Sequence, residues 1–327
     1  MKYRYKITSR TRGFLTELRA LKVVFEKLPV LPHIEERLRR ESILQSALFS
    51  ARIEGNLLTE KQAKFLSFSS SDRDLRKLEV FNLLRAYRFV YFSKNPQKPS
   101  FKFISELHRL VMSKIMPNAG KLRQKPCAIF NQAGVAIYVA PSHFKLPELM
   151  KNFIEEINSL EEAASIKAGL SQFIFEKIHP FADGNGRVGR LISAHVLKMG
   201  GFHFRGLVSF EQYIDEHRGA YYQALGPNID ASEFIEFFLE SLVGQANLFL
   251  ERLKNQPQES PEDILLPRRR EILEIIKDHP FCSFDFIFRR FPAVNPKTLH
   301  YDLLRLQKEG FIQKVGKTRG SRYKIKS

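Results

Sequence analysis

Three observations predict a mainly α-helical protein with one β-hairpin in its core, followed by a small C-terminal domain of helices and a second hairpin. Apolar residues recur at helical spacing along most of the 327 residues. The period changes between Gly120 and Tyr138, where short apolar runs flank Asn131-Gln132-Ala133-Gly134. A polar, proline-containing stretch from Asn255 to Asp263 then precedes a last segment with its own apolar set. The resulting division is a helical N-terminal region (1–100), a core (101–255), a linker (256–264) and a C-terminal domain (265–327). At 43% hydrophobic, the chain can bury a sizeable core.

The elements follow in order. Residues 1–34 are basic and read as irregular, with Arg4, Lys6, Arg10, Arg12 and Arg19 before Pro29 and Pro32. From Ile34 to Ile53 a helix is predicted by Leu38, Ile43, Leu44, Ala47, Leu48 and Ala51, and Gly55-Asn56 ends it. Ser50 and Glu54, one helical turn apart, share a face at that end. Residues 57–118 are mostly helical, with polar breaks at Ser67–Asp74 and Asn95–Ser100. Phe103, Leu107, Leu110 and Val111 mark one of these helices, on which His108 reads as a packed, hydrogen-bonded core residue. Cys127–Phe130 and Val135–Val139 form the hairpin. Pro147 then opens a helix through Phe153 and Ile157. Leu170, Phe173, Ile174 and Ile178 give the next, which stops at His179 because Pro180 disfavours helical geometry there. Val188, Leu191, Ile192, Val196 and Met199 restart a helix near Arg187, and Gly200-Gly201 ends it. An amphipathic stretch from Phe210 to Leu225 and a helix over 232–254 complete the core.

The chemistry concentrates in the turn His179-Pro180-Phe181-Ala182-Asp183-Gly184-Asn185-Gly186-Arg187-Val188-Gly189-Arg190. Gly184 and Gly186 permit positive φ, so successive N–H groups can form a concavity in front of a helix N-terminus, which suits an anion. Arg187 and Arg190 lie on one face of the first turn and supply planar donors for phosphate oxygens. Cations are disfavoured at a helix start, so the pair suggests that an anion supplies the compensation. Asp183 offers a hard oxygen ligand for Mg²⁺, and His179 can accept a proton near neutral pH.

This stretch resembles the Fic family signature, His-x-Phe-x-(Asp/Glu)-Gly-Asn-Gly-Arg-x-x-Arg, at every fixed position. The resemblance, covering roughly residues 34 to 250, implies an adenylyltransferase that moves AMP from ATP to a Ser, Thr or Tyr hydroxyl of a target protein. His179 would take the hydroxyl proton, Asp183 would hold Mg²⁺, Gly184, Asn185 and Gly186 would bind the phosphates, and Arg187 and Arg190 would hold the β- and γ-phosphates. In the family the hairpin is a flap that aligns the target by strand pairing, which here assigns Ile129, Phe130, Val135, Ala136 and Ile137. Ser50-Ala51-Arg52-Ile53-Glu54-Gly55 is similar to the family's inhibitory motif, so Ser50 and Glu54 would restrain the enzyme, with Glu54 on Arg190. The Tyr221-Tyr222 run is similar to a helix that contributes to the adenine pocket. The related Doc toxin carries lysine at the position of Gly186 and is a kinase; an intact glycine favours AMP transfer.

The C-terminal segment departs from the rest in charge and in pattern. From Leu265 to Ser327 there are fifteen Lys and Arg against six Asp and Glu, so a surplus of nine, half the total of +18, lies in less than a fifth of the chain. Ile272 to Ile276, Phe284 to Phe291, and Leu299 to Leu306 after an Asn295 cap and Pro296 predict three helices. Phe311–Val315 and Arg322–Ile325 predict a basic hairpin. Together these resemble a winged helix-turn-helix domain. Lys297, Thr298, His300, Tyr301 and Arg305 on the third helix, with Lys317 and Arg319 in the hairpin turn, are the candidates for DNA contact. His279-Pro280-Phe281 reads as a helix end and a core phenylalanine.

No apolar run approaches the ~18 residues of a spanning helix, and the basic start lacks the apolar centre of a secretory signal, so no membrane partner and a cytoplasmic location are expected. Cys127 and Cys282 lack metal-ligand spacing and read as two reduced thiols. The expected reactants are ATP with Mg²⁺ and a protein hydroxyl, with self-modification, a homodimer and DNA as further candidates. Two alternatives stay open: removal of AMP with Glu54 positioning water, and a DNA-binding regulator whose core senses nucleotide.

Overall fold

A computed structural model describes residues 3–64, 74–130, 136–255, 262, 265–316 and 320–326. Several expected features lie outside these residues: the hairpin turn Asn131–Gly134 with Val135, the break from Ser67 to Arg73, most of the 256–264 linker, and Lys317 and Arg319. The chain forms two compact units, Met1–Lys254 and Asn255–Ser327. Among the described residues no helix is long and apolar enough to cross a membrane.

Among the described residues the first unit holds eleven α-helices around one hydrophobic cluster that joins the N-terminal region to the core. Residues 1–34 are not irregular as expected, because Ser9–Glu26 forms α1. The Thr8 hydroxyl accepts from the Thr11 amide at 3.1 Å, and Leu18, Leu21 and Phe25 bury one stripe of the helix. Phe14 and Leu15 pack beside them, so the apolar face recurs at helical spacing among the basic residues of the segment. Before α1, Arg4 pairs with Ile229 and Ala231 through two backbone bonds of 3.1 and 2.8 Å.

Next come α2 (Pro32–Ile53), the short α3 (Glu60–Lys64), α4 (Leu75–Phe92) and α5 (Phe101–Val111). The hairpin, β1 (Ala128–Phe130) and β2 (Ala136–Val139), is antiparallel, with a register shift between Ile129 and Phe130. After it come α6 (Leu146–Ser159), α7 (Ala164–Ile178), α8 (Asn185–Met199), α9 (Phe210–Glu216), α10 (Arg218–Leu225) and α11 (Ser232–Asn255). The pair α7 and α8 is the centre of the unit, buried on nearly every face. It is antiparallel: the start of α7 meets the end of α8 where Ala164 packs on Gly200, and the Ser193 hydroxyl donates to the Ala168 carbonyl at 3.2 Å.

α2 is fixed against this centre by buried polar groups as well as by apolar packing. Glu211 on α9 is fully buried, and its carboxylate accepts from Ser46 at 2.8 Å, Tyr87 at 2.7 Å and Ser209 at 3.1 Å. Burial raises its pKa, and the three hydroxyl bonds pull the other way.

The second unit has α12 (Pro267–Asp278), β3 (Cys282–Ser283), α13 (Phe284–Phe288), α14 (Pro296–Lys308), β4 (Ile312–Val315) and β5 (Arg322–Ile325). The strands form an antiparallel sheet in the order β3-β5-β4 over a core of Ile272, Ile276, Ile287, Leu299, Leu303 and Leu306. The Asn295 side chain accepts from the Lys297 amide at 2.9 Å, the expected cap of α14. Phe281 is not a core residue. It turns at φ 66° between α12 and β3 and stands 53% exposed, with the Lys324 ammonium over its ring.

The tight α7–α8 crossing leaves no room at its open end. A Cβ on Gly200 would lie 2.0 Å from the Ala164 Cβ, which no rotamer change relieves. Gly200→Ala is expected to lower the stability of the first unit by about 1–3 kcal/mol in urea unfolding.

Candidate active site

The turn between α7 and α8 is built from backbone outward. α7 stops at Ile178, and His179 takes a left-handed conformation (φ 48°) with its amide still donating to the Phe175 carbonyl at 2.9 Å. Gly184 supplies the positive φ, 79°, that starts α8. Gly186 does not, contrary to expectation: it lies in the first helical turn with ordinary φ, and what it contributes is space. A Cβ there would fall 2.2 Å from Glu54 Oε1 and 3.2 Å from Arg190 Nη1.

Three side chains hold the turn from outside. Asn185 uses both ends of its amide on Phe181, accepting from its N–H and donating to its carbonyl, both at 2.9 Å. These two bonds shape the loop. Arg123 donates from Nε to the His179 carbonyl at 2.8 Å, and its own amide donates to the Pro180 carbonyl at 2.9 Å. His108 is buried, as its place on an apolar stripe suggested, and it also braces the loop. Its Nδ1 accepts from the Gly120 amide at 2.6 Å, so Nε2 carries the proton and donates to the Asp183 carbonyl at 2.9 Å. Its ring stacks on Phe181 at 3.8 Å.

The arginines are compensated by protein carboxylates, where the sequence suggested an outside anion. Arg187 pairs with Glu79 of α4 and, at 2.8 Å, with Asp183. Arg190 has no exposure at all: Nε donates to the Ser50 hydroxyl at 2.9 Å, and Nη2 to the Ser50 carbonyl at 2.9 Å and to Glu54 Oε1 at 2.8 Å. Burial is the largest single influence and opposes its charge, but the Glu54 carboxylate, Tyr221 and Tyr87 together keep its pKa above the usual value. Nη1 has no hydrogen-bond partner among the described residues. Ser50 and Glu54 thus reach Arg190 from the last turn and C-cap of α2, where the four-residue spacing placed them.

His179 has a 17% exposed side chain, and burial lowers its pKa, so the imidazole is neutral at pH 7. Its Nδ1 lies 3.4 Å from the Glu176 carbonyl and 3.9 Å from the Glu176 carboxyl. The hairpin is tied to the same place, since the Tyr138 hydroxyl on β2 donates to the Lys177 carbonyl. The backbones of Ile129, Phe130, Ala136 and Ile137 form that hairpin as expected. Tyr221 cannot stack on a purine. It is 2% exposed, takes a bond from Gln172 at 3.0 Å and packs on Phe234 and Phe237. Tyr222 is 49% exposed, and its hydroxyl donates to the Ile53 carbonyl at 3.2 Å, beside Glu54.

Among the described residues no group of three or more His, Cys, Asp or Glu could hold a metal by itself. Asp183, its side chain 57% exposed with Oδ1 bonded to Arg187 and to Gly184 N–H, fits a single contact to a cation that arrives on phosphates. Arg123, Glu79, Glu176 and the bracing role of His108 were missed by sequence reasoning, because none lies in a motif. In the second unit Lys297, Tyr301 and Arg305 are exposed on α14 and Thr298 is half-buried.

His108→Ala would strand the Gly120 amide and the Asp183 carbonyl, and about 1–3 kcal/mol should be lost in urea unfolding. Burial holds this imidazole below its ordinary pKa in the folded state. Its contribution is therefore complete above about pH 6.5 and is lost as the pH falls, where the unfolded chain takes the proton first. In His108→Gln the slope of stability against pH below that point should flatten by up to one proton, about 1.4 kcal/mol per pH unit.

Comparisons with known proteins point the same way. The sequence profile of the Fic/DOC family matches residues 99–197. The chain is 27% identical over 255 residues to the protein adenylyltransferase Fic of Drosophila virilis, covering 74% of this chain and 50% of that protein. It is 26% identical over 283 residues to that of Drosophila mojavensis, covering 81% and 54%. The chain thus spans about half the length of the curated relatives it matches. Among solved structures, a Fic family protein from Desulfovibrio desulfuricans aligns with a TM-score of 0.67 at 21% identity, over 99% of this chain and 98% of that one. Fic-1 from C. elegans gives 0.62 at 22%, over 74% and 72%. With the turn at 179–190 inside the matched segment and the helical architecture shared, residues 99–197 of this chain form a Fic/DOC-family domain.

Proposed function

We propose that the chain is a protein adenylyltransferase whose α7–α8 turn binds the triphosphate of ATP and whose Glu54 restrains it. One observation carries the reading: a neutral, partly buried His179 stands beside a glycine turn and a helix N-terminus that holds Arg187 and Arg190. The oxygen of a target Ser, Thr or Tyr attacks the α-phosphorus, the bond from that phosphorus to the β-phosphate oxygen breaks, pyrophosphate leaves, and the hydroxyl proton passes to His179 Nε2. Such a displacement depends on positioning and charge stabilisation. The Glu176 carbonyl beside Nδ1 favours the tautomer with Nδ1 protonated, which leaves the Nε2 lone pair free. Mg²⁺ carried on the phosphates would be held by Asp183 and would neutralise their charge. The hairpin edge supports a role in aligning the target segment by backbone pairing.

Inhibition follows from occupancy. Glu54 takes Arg190 Nη2 and lies against Gly186, so a phosphate oxygen directed to that guanidinium has to displace it. Glu54→Gly opens that space. Labelled-ATP transfer should be weak for the unsubstituted chain, at least about tenfold stronger for Glu54→Gly, and at least a hundredfold below Glu54→Gly when His179→Ala is added. Equal labelling with and without Glu54 would remove the restraint, and full labelling without His179 would remove the base. Loss of AMP from a pre-modified target that requires Glu54 would instead favour the reverse reaction.

We also propose that the second unit binds duplex DNA through α14. Lys297, His300, Tyr301 and Arg305 are exposed while Leu299, Leu303 and Leu306 fill the core, in a segment with half of the chain's net positive charge. Binding should weaken steeply with salt and fall on Lys297→Ala with Arg305→Ala. No duplex binding by the intact chain at low salt would end this part.

A further inference from the structure

Glu176 is a carboxyl that the reaction above does not use. It lies one turn before His179 on α7, 11% exposed, with Oε2 3.9 Å from His179 Nδ1. Its Oε1 is buried and without a hydrogen-bond partner among the described residues. α8 makes the room for it, since a Cβ on Gly189 would stand 3.2 Å from that oxygen. The charged and titratable groups around it come from four elements: Glu54 at the end of α2, Lys177 on α7 with His179 just beyond its end, Arg190 on α8, and Tyr221 and Tyr222 on α10. Burial, then the Glu54 carboxylate, push its pKa up to about 8 against the pull of Arg190 and Lys177.

An imidazole that takes a proton at Nε2 becomes a cation whose Nδ1–H needs a strong acceptor. Here the backbone acceptor is at 3.4 Å, a long contact, while a carboxyl group waits at 3.9 Å. We propose that Glu176 is a positioning residue for His179, its carboxylate accepting the Nδ1–H of the ring once Glu54 has withdrawn, so that Glu54 governs the base as well as the phosphate pocket. While Glu54 is in place, Glu176 keeps its proton and is a poor partner for a cation. When Glu54 leaves, burial still favours the neutral acid, but the repulsion of the Glu54 carboxylate is gone, and Arg190 and Lys177 pull toward the carboxylate. The proton then passes to solvent before the chemical step, and the ring takes the target's proton at Nε2 with Nδ1–H directed at the carboxylate. The inference rests on the adenylyl-transfer reading for its consequence, and on the geometry of α7 for its cause.

The test follows the ¹³C or ¹⁵N NMR titration of His179 in Glu54→Gly, with and without Glu176→Gln. The carboxylate should hold the His179 pKa about one unit higher than the glutamine does, while in the presence of Glu54 the same substitution should shift it far less. Labelled-ATP transfer in the Glu54→Gly background should lose about tenfold in kcat on Glu176→Gln, with KM for ATP unchanged. Glutamine is isosteric; should it unfold the chain, Glu176→Asp keeps the charge and must leave the His179 titration nearer to that of Glu54→Gly than Glu176→Ala does. Coincident titrations with and without the carboxylate would overturn the inference. Absence of transfer by Glu54→Gly would overturn the adenylyl-transfer reading alone, because the titration does not depend on activity.

Discussion

A guanidinium withdrawn from water must be paired, and Arg190 is withdrawn completely. Its charge cannot be shed by deprotonation at any ordinary pH. The surrounding chain is arranged to answer it: Ser50 supplies a hydroxyl and a carbonyl, Glu54 supplies the carboxylate, and Gly186 leaves the space that the carboxylate fills. For these groups to meet, α2 must hold its register against α8, and the buried Glu211 carboxyl with its three hydroxyl donors provides a second fixed point along the same helix. The buried charge and the placement of α2 are therefore one constraint.

The turn beside it is held by a different means. Its carbonyl groups are engaged from behind: that of His179 by Arg123, that of Phe181 by Asn185 and that of Asp183 by His108. With the acceptors satisfied on the outer side, the donors at the start of α8 are left to face inward, where the helix end carries partial positive charge. The loop keeps a shape set by bonds that do not themselves touch a ligand. Phe181, buried between His108 and Phe175, anchors it in the core.

Much of this was legible in the sequence, and the failures have physical reasons. The helix stop at His179, a restart expected near Arg187 and found at Asn185, and the hairpin follow from local rules about proline, glycine and periodicity. Spacing along one helix put Ser50 and Glu54 on a shared face, while the meeting of Glu54 with Arg190 came only from the family resemblance. α1 was missed because its basic residues drew the reading away from an apolar face that Phe14, Leu15, Leu18, Leu21 and Phe25 carry at helical spacing. Glu79 and Arg123 were missed because each acts across the fold, where a sequence records no adjacency, and Glu176, though one turn from His179, was missed because it precedes the motif. Tyr221 was assigned to a ligand pocket by the resemblance of its run to a family helix, but a tyrosine on an amphipathic helix fits a core position equally well, and burial decided for the core.

Glu54 is attached one residue beyond the last turn of a helix whose own position is fixed. Under the inhibitory reading it is a tethered competitor for a site that a soluble anion also seeks, and its strength is an effective molarity and not a dissociation constant. Dilution of the protein leaves that quantity unchanged, whereas a rise in the free anion opposes it directly. The setting of such a restraint is written in the length and stiffness of its attachment, so α2 would tune the resting state even though it contributes no reacting atom.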